Sequence, residues 1–291
     1  MKLTINVCSC FTRALLCLAG VSPLLIPGLC IADDEGLPSV VSASASIDNS
    51  DSSSFYFDSD LALPGSLRLG AGGGNNANAA SRIDVKTTSY HASLATDPLK
   101  DVALGIDYEH WGEDNALLSD TWRVDFTVNL ADWSLRFSPA RSTITGYTVL
   151  RAYPQFDLDS DRYDAGISYF SPSDWYVTAG YTYYNYSRDV SKVTTSLRAA
   201  ALLSPATLQL LSVLDQRRYS FGIGYNLADD QIGVDWSRTE SALDASHYTT
   251  LSLFYSKPFL LNWAADISIG QQHASYGDTL SFANLVLNYF W

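Results

Sequence analysis

The chain has 291 residues, 47% of them hydrophobic and 13% aromatic, and a formal net charge of −13. That acidic balance argues against nucleic acid as a partner, because phosphate neutralisation by Lys and Arg supplies most of such affinity. After the first thirty residues no apolar run is long enough for a spanning helix. The mean hydropathy near zero still leaves room for a transmembrane barrel, whose strands of about 9–11 residues alternate apolar with polar and average out.

The N-terminus reads as a secretory signal over residues 1–32. Lys2 and Arg13 precede an apolar stretch at 14–26, and Cys30 and Ala32 place small residues at the −3 and −1 positions of a cleavage site. Leu29 is too bulky to precede a lipidated Cys30. Removing this segment takes away two bases and no acid, so 18 − 2 = 16 basic and 31 acidic residues remain, or −15. Cys8, Cys10, Cys17 and Cys30 all leave with it. The exported chain then has no disulfide framework, thiolate metal site or cysteine nucleophile, which suits an oxidising periplasm.

Residues 33–54 are acidic and serine-rich, and their composition predicts a disordered periplasmic lead-in. Phe55, Tyr56 and Phe57 follow, with Pro64-Gly65 close behind. This pattern favours a short element at the periplasmic mouth or in the lumen, with a first full strand as the alternative. The organisation is therefore a signal at 1–32, a lead-in at 33–65 and a barrel at 66–291.

From Ser66 the period of two settles. Leu67, Leu69 and Ala71 alternate with Arg68, Gly70 and Gly72, and residues 73–80 read as a loop. Ile83 and Val85 lie on one parity but Tyr90, Ala92 and Leu94 on the other, which predicts a β-bulge near Thr87-Thr88. After a turn at Asp97-Pro98, Val102, Leu104, Ile106 and Tyr108 oppose Ala103, Gly105, Asp107 and Glu109. The clearest strand is 121–130, where Trp122, Val124, Phe126, Val128 and Leu130 alternate with Arg123, Asp125, Thr127 and Asn129. A water-filled barrel interior tolerates such a charged face. Ala131-Asp132 turns the chain, Trp133, Leu135 and Phe137 begin the return with Arg136 inside, and 139–161 reads as the rest of that strand plus an external loop.

Later strands repeat the scheme: Tyr163, Ala165, Ile167 and Tyr169 with Asp164 opposite, then Trp175, Val177, Ala179, Tyr181 and Tyr183. Further on come Tyr219 to Leu227 in steps of two, Ile232, Val234 and Trp236 with Asp235 opposite, then Leu251, Leu253 and Tyr255. Trp263, Ala265, Ile267 and Ile269 oppose Asp266. One long connection, 188–216, departs from the pattern. Val193, Leu197, Ala200 and Ala201 recur at helical spacing, and Ser204-Pro205 offers an N-cap with Pro at N1 for a second helix through Leu214. This helical extracellular loop is either a lid over the lumen or a segment packed on the rim.

The final stretch, 280–291, puts Leu285, Leu287, Tyr289 and the terminal Trp291 on one face and Asn284, Val286, Asn288 and Phe290 on the other. An aromatic ending led into by period-two apolar residues resembles the C-terminal signal of bacterial outer-membrane β-barrels. The resemblance implies an all-β, transmembrane antiparallel barrel in a Gram-negative outer membrane. It also implies a last strand that is read by the barrel-assembly machinery, with outer-membrane lipid and lipopolysaccharide as surroundings. Counting spans from Ser66 gives about twelve strands, with fourteen as the alternative, an even number in either case. The tryptophans sort by turn length. Trp133, Trp175, Trp263 and Trp291 lie at short turns or the C-terminus, while Trp111, Trp122 and Trp236 lie beside longer loops, which predicts two membrane-interface girdles.

The inward parity collects Arg68, Asp107, Glu109, Arg123, Asp125, Arg136, Asp164, Asp235 and Asp266 as candidate lumen-lining residues. Their mixed signs suit a passive channel, porin-like, for small polar solutes. A blocked barrel in which they pair across the lumen is the structural alternative. An enzyme of the outer rim, a lipid or peptide hydrolase, is a further alternative resting on His110, His247 and His273 near Glu109, Asp244 and Ser275. No pattern of catalytic residues supports it, no two histidines share a metal-ligand spacing, and no cofactor motif is present.

Overall fold

The computed structural model describes residues 37–78, 85–97, 101–114, 116–148, 155–199, 203, 205–228, 230–275 and 279–291. The expected signal at 1–32, Ile83, Pro98, Ala200, Ala201 and Ser204 lie outside them. Fourteen antiparallel strands close into one barrel in chain order. They are β1 (Val40–Asp48), β2 (Ser53–Leu63), β3 (Leu67–Asn78), β4 (Val85–Thr96), β5 (Val102–Glu113), β6 (Leu117–Leu130) and β7 (Trp133–Tyr147). The second half is β8 (Gln155–Phe170), β9 (Trp175–Tyr186), β10 (Asp215–Leu227), β11 (Asp230–Ser241), β12 (His247–Leu260), β13 (Trp263–Ala274) and β14 (Thr279–Phe290). Between β9 and β10 stand two helices, α1 (Val190–Ala199) and α2 (Pro205–Ser212).

The count corrects the expected twelve. Twelve strands do follow Ser66, but the segment 33–65, expected as a lead-in, supplies the first hairpin. β1 pairs with β14 from Val40↔Phe290 to Asp48↔Phe282 and with β2 from Val40↔Asp60 to Ile47↔Ser53. Closure leaves no edge strand, the condition for a sheet to sit in lipid with every backbone group paired. The result is a closed antiparallel barrel with an even number of strands.

Alternation sorts the side chains. Leu104, Ile106, Val124, Phe126, Leu135, Phe137, Ile223, Val234, Leu253 and Ile267 are all 38–50% exposed and face outward. Their partners in sequence face the lumen. Val124→Arg, at the middle of this apolar wall, is expected to cost about 2–4 kcal/mol, the penalty for a cation near the bilayer midplane. Ser237→Arg, on the luminal side of β11, should cost a small part of that. Urea unfolding of both variants in lipid vesicles checks the assignment, and equal costs would refute it.

Prolines explain two breaks in the ladder. Pro139 has no N–H to give, and the β6–β7 pairing passes from Arg123↔Ala140 to Phe126↔Phe137 without the residues between. A register shift on β12 falls between Pro258 and Leu260. The bulge expected at Thr87-Thr88 is not there: β3 and β4 pair continuously from Leu67↔Thr96 to Asn78↔Val85. That same pairing makes 73–78, expected as a loop, part of β3.

The parity change in β4 has another cause. Val85 points inward and is 3% exposed, inside an apolar cluster with Ala116, Leu117, Ile144, Leu158, Val190, Leu210, Leu211 and Leu214. The wall residues of this cluster project from the luminal faces of β4, β6, β7 and β8, and the others come from the helical loop. An apolar plug therefore fills one side of the barrel mouth opposite the short turns.

Candidate functional site: the barrel lumen

By strand parity the nine charges lie on the face opposite the exposed apolar residues, and their partners set them apart. Arg68 is only 6% exposed and works as a latch. Its Nε donates to Asp60 at 2.9 and 3.0 Å, Nη1 to the Leu37 carbonyl at 2.9 Å and Nη2 to the Pro38 carbonyl at 3.0 Å. One guanidinium fork thus ties the residues before β1 to β2 and β3. Asp266 is fully buried and accepts hydrogen bonds from Ser256 and from Asn288 Nδ2, the latter at 2.6 Å. Asn288 in turn accepts from Ser42 at 2.6 Å, so a polar chain crosses β12, β13, β14 and β1 at the closing seam. These two residues stabilise the wall.

Arg123, Arg136, Asp164 and Asp235 line a luminal cavity of about 290 Å³, joined by Arg162, Arg218, Tyr184 and a set of hydroxyls. Asp107 and Asp125 stand behind Arg123, at 3.4 and 3.2 Å, and Ser138 donates to Asp125 at 2.6 Å. Arg162 lies 2.9 Å from Asp164, which also accepts from Thr182 at 2.6 Å. Arg218 reaches Asp215 at 2.6 Å, and Tyr248 donates to the other oxygen of that carboxylate at 3.0 Å. Glu109 sits across β4–β5 from His91, which approaches Asp58 at 3.3 Å.

The cavity has two unlike sides. Arg123, Arg136, Arg162 and Arg218 come from β6, β7, β8 and β10. The strands β11–β13 contribute Asp235, Ser237, Thr250, Ser252 and Ser268 and, among the described residues, no base. A guanidinium has five donors and one carboxylate cannot occupy them all, so the arginine side keeps hydrogen-bonding capacity toward the lumen.

Space in the lumen comes from aromatic rings laid flat on glycines. A Cβ on Gly224 would meet the Tyr176 ring at 2.3 Å, and one on Gly233 would meet Phe254 at 2.3 Å. Tyr176 and Phe254 are accordingly only 3% and 4% exposed and hug the wall rather than crossing the bore.

The helical loop is fixed at the barrel mouth. The Lys192 amide donates to Asp189 Oδ1 at 3.1 Å, an N-cap for α1 that holds the Asp189 carboxyl below its usual range. Thr207 Oγ1 of α2 lies 3.4 Å from the Ala116 carbonyl and 3.3 Å from that of Tyr147, and the Ala242 amide donates to the Leu214 carbonyl at 2.8 Å. The loop is thereby anchored to three different hairpins.

Six of the seven girdle tryptophans are outward: Trp122, Trp133, Trp175, Trp236, Trp263 and Trp291 are 37–58% exposed. Trp111 is the exception and corrects the expected girdle, since it lies on the luminal parity and packs against the plug. The rim histidines do not assemble a nucleophile and base. His110 faces outward beside Asp120 at 2.8 Å, whereas Glu109 points into the barrel. His273 contacts Thr279 at 3.1 Å, and among the described residues Ser275 Oγ accepts from the His247 backbone amide.

Sequence reasoning missed Asp58, Asp60, His91, Arg162, Asp215 and Arg218. Arg162 was visible as the inward neighbour of Asp164. Asp58 and Asp60 lay in a strand not recognised as one, and Asp215 and Arg218 flank the register shift between Asp215 and Arg217.

No family model and no curated protein sequence matches the chain. Among solved structures it is similar to OmpT of Vibrio cholerae in its in-vitro folded, trimer form (10% identity, TM-score 0.47, covering 89% of this chain and 100% of that one). The KdgM porin is similar at 9% identity and TM-score 0.45, over 87% and 99% of the two chains. OccK11 (OpdR) of Pseudomonas aeruginosa gives 9% identity and TM-score 0.41, over 88% and 97%. At this level of identity the likeness is one of barrel architecture and does not extend to what passes through it.

Proposed function

We propose that this chain is a barrel of the bacterial outer membrane that serves as a passive channel for small polar solutes. The single observation behind this reading is the cavity itself. A polar space of about 290 Å³ runs between an arginine-bearing side and a side of hydroxyls with Asp235, within a wall that is apolar outside. Opposed charges across a narrow water-filled space orient a dipolar solute and favour its entry over that of an apolar one. The membrane address follows from the apolar outer wall and its aromatic borders. Export by a cleaved signal at 1–32, and recognition of β14 by the barrel-assembly machinery, complete the proposal.

A second reading, a structural barrel with a blocked lumen, is favoured by the apolar plug at the mouth. Planar-bilayer recording of the refolded chain tests both. Discrete current steps are expected. Their absence from protein that shows heat-modifiable gel migration would overturn the channel and leave the blocked barrel.

A further inference from the structure

On the outer face, β10 presents Leu227, Tyr225, Ile223, Phe221 and Tyr219, all 42–49% exposed. Eight residues at ~3.3 Å each, tilted by ~40°, climb about 20 Å, most of the height of a membrane's apolar band. Arg217 is the next outward residue on β10. On β11 the outward series Ile232, Val234 and Trp236 likewise ends at Arg238.

Arg217 pairs in register with Glu240, and Tyr219 with Arg238, so the two arginines are diagonal neighbours on one face. That places them ~7–8 Å apart at the backbone, a span that two guanidinium forks close around one phosphate. Both are exposed. Among the described residues neither side chain has an ion pair or a hydrogen bond, even with Glu240 directly across from Arg217. Just below them, Tyr181 and Tyr219 pack at 5.1 Å between ring centroids, with Trp236 beside them.

Elsewhere toward this rim the outer wall carries both signs, exposed Lys86 on β4 among them. Asp120 faces outward on β6, and Asp157, Asp159 and Asp161 line β8, where Arg141 is 3.7 Å from Asp159. Two neighbouring cations on one face, without side-chain partners among the described residues and above an aromatic shelf, mark a place for an anion that arrives from the membrane side.

We propose that Arg217 and Arg238 form a binding site for the phosphorylated sugar headgroup of an outer-leaflet glycolipid. The arginines grip phosphate while Tyr181, Tyr219 and Trp236 pack against the sugar–acyl boundary. The site rests on the outer-membrane placement but not on a conducting lumen.

Native mass spectrometry of the full refolded chain in detergent tests this, with bis-phosphorylated lipid A, fully dephosphorylated lipid A and inorganic phosphate as separate probes. One adduct with the bis-phosphorylated lipid is expected. Binding should weaken on the order of tenfold or more in the Arg217→Gln/Arg238→Gln double variant, since charge-assisted contacts are lost. Arg217→Lys/Arg238→Lys should retain part of it, and Arg141→Gln should leave it unchanged. Equal binding by the double variant, or by dephosphorylated lipid A, overturns the site. Competition by inorganic phosphate at comparable concentration would assign the arginines to a free anion and also overturn it. A folded wild-type barrel that takes up no lipid A ends this proposal. The current recordings judge the channel separately.

Discussion

Deleting Val40–Asp48 is expected to abolish folding, the largest effect of any change considered for this chain. β1 holds nine register partners on β14 and eight on β2. Without it, two strands face each other that both run from the long-loop side to the short-turn side, because each is antiparallel to β1. Closure would then need a parallel seam in an otherwise antiparallel wall, at a smaller circumference that changes every tilt. The alternative is two open edges in hydrocarbon, at several kcal/mol for each unpaired backbone group. The polar chain through Asp266, Asn288 and Ser42 would lose its last member, and Arg68 its carbonyl acceptors at Leu37 and Pro38. Heat-modifiable migration and far-UV circular dichroism in detergent check the outcome. A deletion variant that still folds and resists unfolding at low heat would remove β1 from the wall.

That same strand shows where legibility ends. β6 is plain in the sequence because Trp122, Val124, Phe126 and Val128 contrast strongly with Arg123, Asp125 and Thr127. In β1 the outward residues include Ala43 and Ala45 and the inward ones Ser42, Ser44 and Ser46. The alternation is regular from Val41 onward but its amplitude is small, and the acidic serine-rich composition suggests disorder. The second half of β3 hides for a related reason, since Gly72, Gly73 and Gly74 carry no side chain to declare a face. The luminal charges were legible because parity alone decides which way they point. Which of them latch the seam and which meet solute depends on partners several strands away, and period-two patterning holds no information about those. Trp111 was misplaced for a different reason: it shares the inward parity of Asp107 and Glu109, but sorting tryptophans by turn length ignores which face they occupy.

The apolar plug carries the second large effect. Leu211→Asp is expected to release the α1–α2 loop from the mouth and raise the single-channel conductance. Leu211 is 1% exposed within the plug, against Leu117 at 0% and Leu158 at 1% on the wall. Truncating one such leucine to alanine costs about 2–5 kcal/mol, and a buried carboxylate without a partner costs more. At about 3 kcal/mol the docked-to-released ratio already falls by on the order of a hundredfold. Leu158→Ala, which empties the same core from the β8 side, should act in the same direction. Val213→Asp should not, because Val213 is 50% exposed on the same loop. The barrel itself stays closed in all three, since the strand pairings of β9 and β10 do not involve the helices. Limited proteolysis within 188–214, read beside the current steps, separates release of the loop from damage to the wall. Cleavage with unchanged conductance would show that the plug packs on the rim without narrowing the path. Larger steps from Leu211→Asp and Leu158→Ala but not from Val213→Asp would make the helical loop the constriction of the channel.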